Sequence, residues 1–270
     1  MKIAFIGSGN MGEAMISAML KKSVVADNGI CACDIDQARI SAIEGKYKVG
    51  CTPDAVAAIT DCDVIVLSIK PQVLADVMKN LRGKLQEGQL VISIVAGAKL
   101  STLVRGLGHE EVVRVMPNTP AQVGEGMSVW TSASAVSQEQ KDKAKTILSA
   151  MGREIHFPDE KYIDMATAIS GSGPAYIFLV MEALIDAAVH IGLPRDVAGE
   201  LVTQTVLGSS HLTRESGKHP AELKNSVTSP GGTTAEGLLV LEEGGVRAVI
   251  TQAVIAAYEK AKLLGGDNSK

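Results

Sequence analysis

A glycine-rich turn near the start of the chain constrains its fold more than any other feature. Gly7-Ser8-Gly9-Asn10-Met11-Gly12 follows a short apolar run, Ile3–Ile6, and opens a helical pattern from Glu13 to Leu20. In this spacing the first glycine permits a tight turn, the second lets the backbone approach a pyrophosphate, and the third lets helix and strand pack closely. The helix N-terminus offers free N–H groups to phosphates. The turn therefore predicts a dinucleotide site that includes all six residues.

An acidic residue at the end of the next predicted strand strengthens this prediction. Asp34 follows the run Ile30–Cys33, so the turn has the strand, helix and acid that a dinucleotide fold requires. A carboxylate there hydrogen-bonds the ribose hydroxyls of NAD and repels the 2′-phosphate of NADP, which favours NADH. Two alternatives stay open at this point. Arg39 would offset the repulsion, or Asp34 would only cap the next helix.

Strand-like and helical patterns alternate through the first 157 residues, which predicts an α/β Rossmann domain with a doubly wound, mostly parallel sheet. Two of the runs are continuously apolar, as expected for strands that are covered on both faces. Thr52-Pro53-Asp54 is interpreted as a cap followed by proline at the first helical position. The predicted strands are Ile3–Ile6, Ile30–Cys33, Val64–Ile69, Leu90–Val95, Val112–Val115, Met127–Trp130 and Ile155–Phe157.

After Phe157 the sequence predicts an all-α substrate and dimerisation domain over residues 158–270, with a helical break at 171–174 among others. Ala175–Ile191 and Val246–Ala257 are apolar around most of their circumference, so each needs cover on several sides. A second subunit supplies that cover most simply, and we expect a homo-oligomer. A compact monomeric bundle is the alternative. Glu182 and Asp186 within the first segment argue against a membrane span.

Composition narrows the class of partner. The formal net charge is −4, and a basic stripe of the kind that binds phosphate backbones is missing, so nucleic acid is not expected as a partner. The four cysteines have neither the spacing of a zinc site nor that of a secreted disulfide framework, so we expect no metal and reduced thiols. The chain begins with a strand pattern instead of a signal peptide. We therefore expect a cytoplasmic protein.

Other predicted strands end in residues that suit a bound nucleotide, because ligands of open parallel sheets lie beyond the carboxyl ends of strands. Ser68-Ile-Lys70-Pro71 places a hydroxyl and a lysine there, and Ala96-Gly97 permits close approach to the nicotinamide ribose. Arg114-Val-Met-Pro-Asn-Thr-Pro120 predicts a rigid polar loop that includes Asn118. Two of these segments also have plain alternatives, since Lys70 could be a solvated loop lysine and the segment from Arg114 to Pro120 a structural turn.

A second polar loop lies in the helical half. In Val227–Glu236, Ser229, Thr233 and Thr234 flank the turn Gly231-Gly232 at the start of a helix. Backbone N–H groups and hydroxyls in that arrangement would hold a carboxylate. The alternative is an ordinary helix cap.

These motifs, together with Ser170-Gly-Ser-Gly-Pro-Ala-Tyr176, occur in the same order as in pyrroline-5-carboxylate reductases, which the chain resembles from end to end. The resemblance implies reduction of 1-pyrroline-5-carboxylate to L-proline by NAD(P)H, the last step of proline biosynthesis. It further implies a homodimer through the C-terminal helices, often within a larger ring. Carried over, Ser229, Gly231, Gly232 and Thr233 line the carboxylate site and Thr234 faces the imine nitrogen as the catalytic residue. Many members of the family favour NADPH, whereas Asp34 in this chain favours NADH.

Two other functions remain alternatives. A 3-hydroxyacid dehydrogenase of similar layout needs a base for the hydroxyl proton, commonly a lysine on the first interdomain helix. Ser170–Ile191 contains no lysine, and Lys161 lies early. An imine is protonated near neutral pH, so its reduction needs positioning more than a base. A non-catalytic NAD(P)-sensing protein is the second alternative, and it predicts binding without turnover.

Overall fold

The computed structural model describes residues 1–266, and its backbone contacts divide the chain into two compact units. One unit holds Met1–Ser172 together with the described residues from Ala257 onwards, and the other holds Gly173–Ala256. The sequence predicts a functional boundary after residue 157. That boundary differs from the limits of these two units and stays a prediction.

The first unit is built on an eight-stranded sheet in the order β3-β2-β1-β4-β5-β6-β7-β8. Neighbouring strands are parallel except β6 and β7, which are antiparallel. The predicted doubly wound, mostly parallel sheet is thereby confirmed. The strands are β1 Ile3–Ile6, β2 Ile30–Cys33, β3 Gly50–Thr52, β4 Val64–Leu67, β5 Leu90–Ser93, β6 Val112–Met116, β7 Gly126–Ser132 and β8 Gly152–His156.

Twelve α-helices accompany the sheet within the described residues. They are α1 Asn10–Lys21, α2 Gln37–Tyr47, α3 Ala55–Ile59, α4 Leu74–Leu81, α5 Leu100–Leu107, α6 Gln138–Ser149, α7 Lys161–Ala166, α8 Gly173–His190, α9 Arg195–Ser216, α10 Pro220–Ser226, α11 Thr233–Glu243 and α12 Val246–Leu264. A π-helical turn, Thr167–Gly171, precedes the break that the sequence predicted at 171–174 and shares only Gly171 with it, and α8 begins inside that segment at Gly173.

Apolar side chains cover the sheet on both faces. Along β1, Ile3 and Phe5 belong to one buried cluster, whereas Ala4 and Ile6 belong to the other. This alternation follows from the two-residue period of a strand. Helices α1 and α6 contribute to the first cluster, and helices α3 to α5 contribute to the second. Burial on both faces explains why the central strands are continuously apolar.

Two local features differ from the sequence expectations. Strand β3 was not predicted, because it has three residues and is only partly buried. The helix after it is capped by Asp54, whose carboxylate accepts hydrogen bonds from the Val56 and Ala57 amides. Thr52 instead accepts a bond from the Asp54 amide, and Pro53 precedes the cap. Aspartate accepts two amide bonds here, which makes it the stronger cap.

The second unit leaves much of its apolar surface uncovered in the single chain. Helix α8, all of which the structure describes, has no buried residue, and Phe178 and Leu179 are 60% and 65% exposed. A contiguous apolar surface of this kind marks an interaction site. By length and composition alone, Lys161–His190 is also long and apolar enough to cross a membrane. The helices that we expected a second subunit to cover are therefore exposed in the single chain.

Candidate functional site

The strand register brings the residues predicted for the nucleotide to one edge of the sheet. Ile6 lies opposite Cys33 of β2 and Leu67 of β4. The residues that follow these strands, Gly7, Asp34 and Ser68, therefore share the carboxyl edge. Strands β2 and β4 flank β1 and are reached in opposite directions along the sheet, so a topological switch point lies here. This is where open α/β sheets bind ligands.

The three glycines of the turn differ in what a side chain at each position would contact. Gly7 has a φ of +94°, and a Cβ there would lie 2.7 Å from the Ser68 carbonyl oxygen. A Cβ on Gly12 would lie 2.7 Å from the Gly7 carbonyl oxygen. Gly9 differs, because a Cβ there would meet nothing within 4 Å. Gly7 and Gly12 thus close the turn against the protein, while Gly9 leaves an open approach.

Helix α1 begins directly after this approach. Gly9 is its N-cap, and no side chain bonds the amides of the first turn. These N–H groups, which include those of Asn10, Met11 and Gly12, are available to an anion, and the helix dipole favours negative charge there. The open space at Gly9 and the uncapped amides fit a dinucleotide pyrophosphate.

Asp34 is tied to the glycine turn. Its Oδ2 accepts hydrogen bonds from the Ser8 amide at 2.9 Å and the Ser8 hydroxyl at 3.0 Å, and its Oδ1 accepts one from the Asp36 amide. Partial burial alone would raise the pKa of Asp34, but these hydrogen bonds lower it below its usual value. Asp34 is therefore a fixed anion beside the turn, and Asp36 caps α2 instead.

Ser68 also supports the turn. Its hydroxyl donates to the Gly7 carbonyl oxygen at 2.5 Å. Lys70 and Pro71, which follow it, are exposed at the same edge, and Pro71 opens a single 3₁₀ turn. Ser68 therefore shapes the loop, whereas Lys70 has a side chain that reaches solvent.

Three other predicted residues follow β5 and β6. Ala96 is exposed, and Gly97 has a φ of +76°. A Cβ on Gly97 would lie 3.0 Å from the Leu264 carbonyl oxygen, so this glycine also permits close packing on the end of α12. Asn118 Oδ1 accepts a hydrogen bond from the Met127 amide at 2.8 Å, which fixes the amide group of that side chain.

Arg114, at the start of the Pro-Asn-Thr-Pro segment, is buried within the protein. It donates to Glu160 Oε1 at 2.8 Å and to Asp164 Oδ1 at 2.6 Å. Its guanidinium therefore joins β6 to α7. No local pattern predicts this pairing, since the partners lie 46 and 50 residues further along the chain.

A charged network beside the turn was also missed. Glu13 of α1 accepts hydrogen bonds from Arg39, from Lys46 at 2.8 Å and from the Tyr47 hydroxyl at 2.9 Å. The bond from Lys46, with those from Tyr47 and Arg39, lowers the pKa of Glu13 to about 2, although burial acts the other way. Arg39 also donates to the Ser8 carbonyl oxygen at 2.5 Å. Glu13 thus links α1 to three residues of α2.

The predicted carboxylate loop lies in the second unit. Gly231 has a φ of +68°, and the Gly232 amide donates to the Ser229 carbonyl oxygen at 3.0 Å, which closes the turn. Gly232 is the N-cap of α11, and no side chain bonds the amides of its first turn. Thr233 is exposed and Thr234 is half-buried. The helix start therefore combines open amides with the hydroxyls of Ser229, Thr233 and Thr234.

Lys161, the lysine relevant to a hydroxyacid dehydrogenase, is engaged elsewhere. Its Nζ lies 2.9 Å from Asp159 Oδ2 and 5.1 Å from the centre of the Tyr162 ring. The hydrogen bond to Asp159 raises the pKa of Lys161. A general base near neutral pH needs a lowered lysine pKa, so this environment does not favour that role.

Comparison with known proteins identifies the family to which this chain is similar. The model described as pyrroline-5-carboxylate reductase dimerisation matches residues 160–264, and one described as NADP oxidoreductase coenzyme F420-dependent matches residues 2–97. The pyrroline-5-carboxylate reductase of a Synechocystis strain is 42% identical over 264 residues, which are 98% of each chain.

Solved structures agree. That of a pyrroline-5-carboxylate reductase from Coxiella burnetii has a TM-score of 0.91 at 37% identity and covers 97% of this chain and 98% of its own. That of the Plasmodium falciparum pyrroline carboxylate reductase with NADP bound has a TM-score of 0.89 at 34% identity, with 98% of both chains covered.

Proposed function

Because the chain belongs to the pyrroline-5-carboxylate reductase family, we propose that it reduces the cyclic imine 1-pyrroline-5-carboxylate to L-proline with NAD(P)H, the last step of proline biosynthesis. The observation that carries the proposal is similarity over 98% of this chain and 98% of a relative with that activity in its name. The dinucleotide turn and the Ser229–Thr234 loop lie within the matched length. The turn and the loop both indicate an oxidoreductase that acts on a small-molecule substrate.

The first unit would hold the cofactor, whose nicotinamide supplies a hydride when bound. The amides at the start of α1 bind the pyrophosphate, and Gly9 leaves space for it. Ser8 and Asp34 fix the turn beside the adenosine ribose, and Ser68 holds Gly7 in place. We propose that Lys70, Pro71, Ala96, Gly97 and Asn118 complete the site, at the carboxyl edge of the sheet.

The second unit would hold the imine. The carboxylate binds the open amides at the start of α11, with Ser229, Gly231, Gly232 and Thr233 around it. Thr234 hydrogen-bonds the imine nitrogen. Because the protonated imine is already an electrophile, this bond orients the ring without a strong base. The engaged environment of Lys161 agrees with a reaction of this kind.

NADH and NADPH would deliver the same hydride and differ in the 2′-phosphate. Asp34 is an anion at the position that repels this phosphate, which supports a preference for NADH. A related Plasmodium protein was solved with NADP bound, which supports use of NADPH in the family. Both cofactors therefore belong in the test.

Self-association is a property that the dimerisation match indicates for this chain. We propose a homodimer through the C-terminal helices, with assembly into a larger ring, and the exposed apolar side chains of α8 support it. The match begins at residue 160, near the functional boundary that we propose between 157 and 158. It also includes the whole of the stretch Lys161–His190, so we propose no membrane partner. Four free cysteines support a cytoplasmic location.

The test is oxidation of NADH and NADPH, followed at their shared absorbance with and without 1-pyrroline-5-carboxylate. We expect rapid oxidation that depends on the imine, with proline as the product. Oxidation that does not depend on the imine, or binding of both cofactors without turnover, would contradict the proposal. The same protein with NAD(P)+ and a set of 3-hydroxyacids would then separate a dehydrogenase from a sensor.

A further inference from the structure

We infer that Glu13 is a specificity-determining residue for the cofactor: it holds the Arg39 guanidinium against the glycine turn, away from a 2′-phosphate, so that the chain favours NADH. This inference deepens the proposed function and rests on it for the cofactor class. From the sequence alone, Arg39 could offset the repulsion between Asp34 and a 2′-phosphate. The structure shows which groups the Arg39 guanidinium contacts instead.

The geometry of the Arg39 side chain carries the inference. Its Nη2 forms an ion pair with Glu13 Oε2, and its Nε donates to the Ser8 carbonyl oxygen at 2.5 Å. The side chains of Arg39 and Glu13 are 26% and 20% exposed, so solvent screens this pair less than an open surface pair. The guanidinium is thus directed to the glycine turn by two partners on different atoms.

The charges at this position explain the effect on selectivity. A 2′-phosphate beside Asp34 needs an unpaired cation, and arginine is the residue that binds phosphate best. Glu13 neutralises Arg39, while Asp34 keeps its own negative charge through bonds from Ser8 and Asp36. Lys46 of α2 also bonds to Glu13. One carboxylate therefore binds two cations of α2 that would otherwise be available to the phosphate.

Direct binding of NADH and NADPH tests this without the imine. Both cofactors share the pyrophosphate, so the ratio of their Kd values isolates the 2′-phosphate. In Glu13→Gln we expect the Kd for NADPH to fall about tenfold and that for NADH to change less than about twofold. Glu44→Gln is the matched control, because it removes the same charge from an exposed position of α2 and should leave the ratio unchanged.

Arg39→Ala gives a second readout in case Glu13→Gln weakens the fold. If Arg39 is held by Glu13, its removal leaves the NADPH-to-NADH ratio of Kd values unchanged. A selective loss of NADPH affinity in Arg39→Ala would overturn the inference, as would an unchanged ratio in folded Glu13→Gln. Failure of imine reduction with intact cofactor binding would refute the proposed function alone, so the two failures are distinguishable.

Discussion

The Arg114 guanidinium donates a hydrogen bond to Asp164 Oδ1 across 2.6 Å and thereby joins β6 to α7. The Arg114 side chain is 3% exposed and that of Asp164 is 10% exposed. Glu160 completes the group, since its Oε1 accepts from Arg114 and from the Leu100 amide at the start of α5. Three elements of the first unit thus meet at one buried cation.

Arg114→Met should strongly destabilise the fold, because it leaves Glu160 and Asp164 without their buried cation. We expect the free energy of unfolding to fall by about 3–5 kcal/mol, measured by urea denaturation at fixed protein concentration. Arg247→Met is the control. Its pair with Glu242 is exposed, and loss of such a pair costs about 0–1 kcal/mol. Equal effects of the two variants would contradict the buried role.

The fold was predictable where the local hydrophobic pattern determines secondary structure. The candidate site was predictable where backbone groups of a glycine-rich turn form it. Apolar runs marked seven of the eight strands, and the glycine turn and Asp34 are in hydrogen-bond contact, while the nucleotide that they are expected to bind stays a prediction. The buried ion pair of Arg114 was not predicted, because its partner Asp164 lies 50 residues away in the sequence. The Glu13–Arg39 pair joins residues 26 apart on two helices. Such pairings depend on tertiary packing, which the hydrophobic periodicity of a sequence does not specify.

Gly7→Ala and Gly9→Ala should separate folding from cofactor binding. Alanine at Gly7 would adopt a φ of +94° and place its Cβ 2.7 Å from the Ser68 oxygen. We expect a loss of about 1–3 kcal/mol in the free energy of unfolding. Gly9 has a φ of −62° and open space, so Gly9→Ala should keep the stability within about 1 kcal/mol.

We propose that the pyrophosphate approaches the backbone through the open space at Gly9. Gly9→Ala should therefore weaken NADH binding by about tenfold or more, because a methyl group occupies the approach. Fluorescence titration of the folded variant measures this effect. Unchanged affinity in Gly9→Ala would mean that the pyrophosphate does not pass this residue.

The low pKa of Glu13 predicts acid sensitivity. Its folded-state pKa is about 2 against an ordinary value of 4.5, so it contributes stability above about pH 4.5 that is lost as the pH falls toward 2. The difference in unfolding free energy between wild type and Glu13→Gln should shrink across that range. Urea titrations at a series of pH values provide the measurement. A difference that stays constant would contradict the lowered pKa.

Leu179→Asp should disrupt self-association. Leu179 is 65% exposed on α8, where a charge would lie unpaired in an apolar interface. We expect a lower mass by light scattering after size-exclusion chromatography. Ile35→Asp is the control, since Ile35 is 95% exposed but lies on the first unit. A shift to smaller species in Ile35→Asp, or an unchanged mass in Leu179→Asp, would contradict an interface at α8.

Thr234→Ala should lower turnover while NAD(P)H binding stays intact. The variant removes the hydroxyl that we place at the imine nitrogen, and Thr234 belongs to the second unit, whereas the dinucleotide turn belongs to the first. We expect kcat to fall by about 10²-fold and the Kd for NADH to change less than about twofold. Thr234→Ser keeps a hydroxyl and should recover most of the rate. Thr251→Ala, an exposed threonine that bonds the Arg247 carbonyl, should leave kcat unchanged. A loss of cofactor binding in Thr234→Ala, or equal rates in the alanine and serine variants, would refute a role for the hydroxyl at the reacting nitrogen.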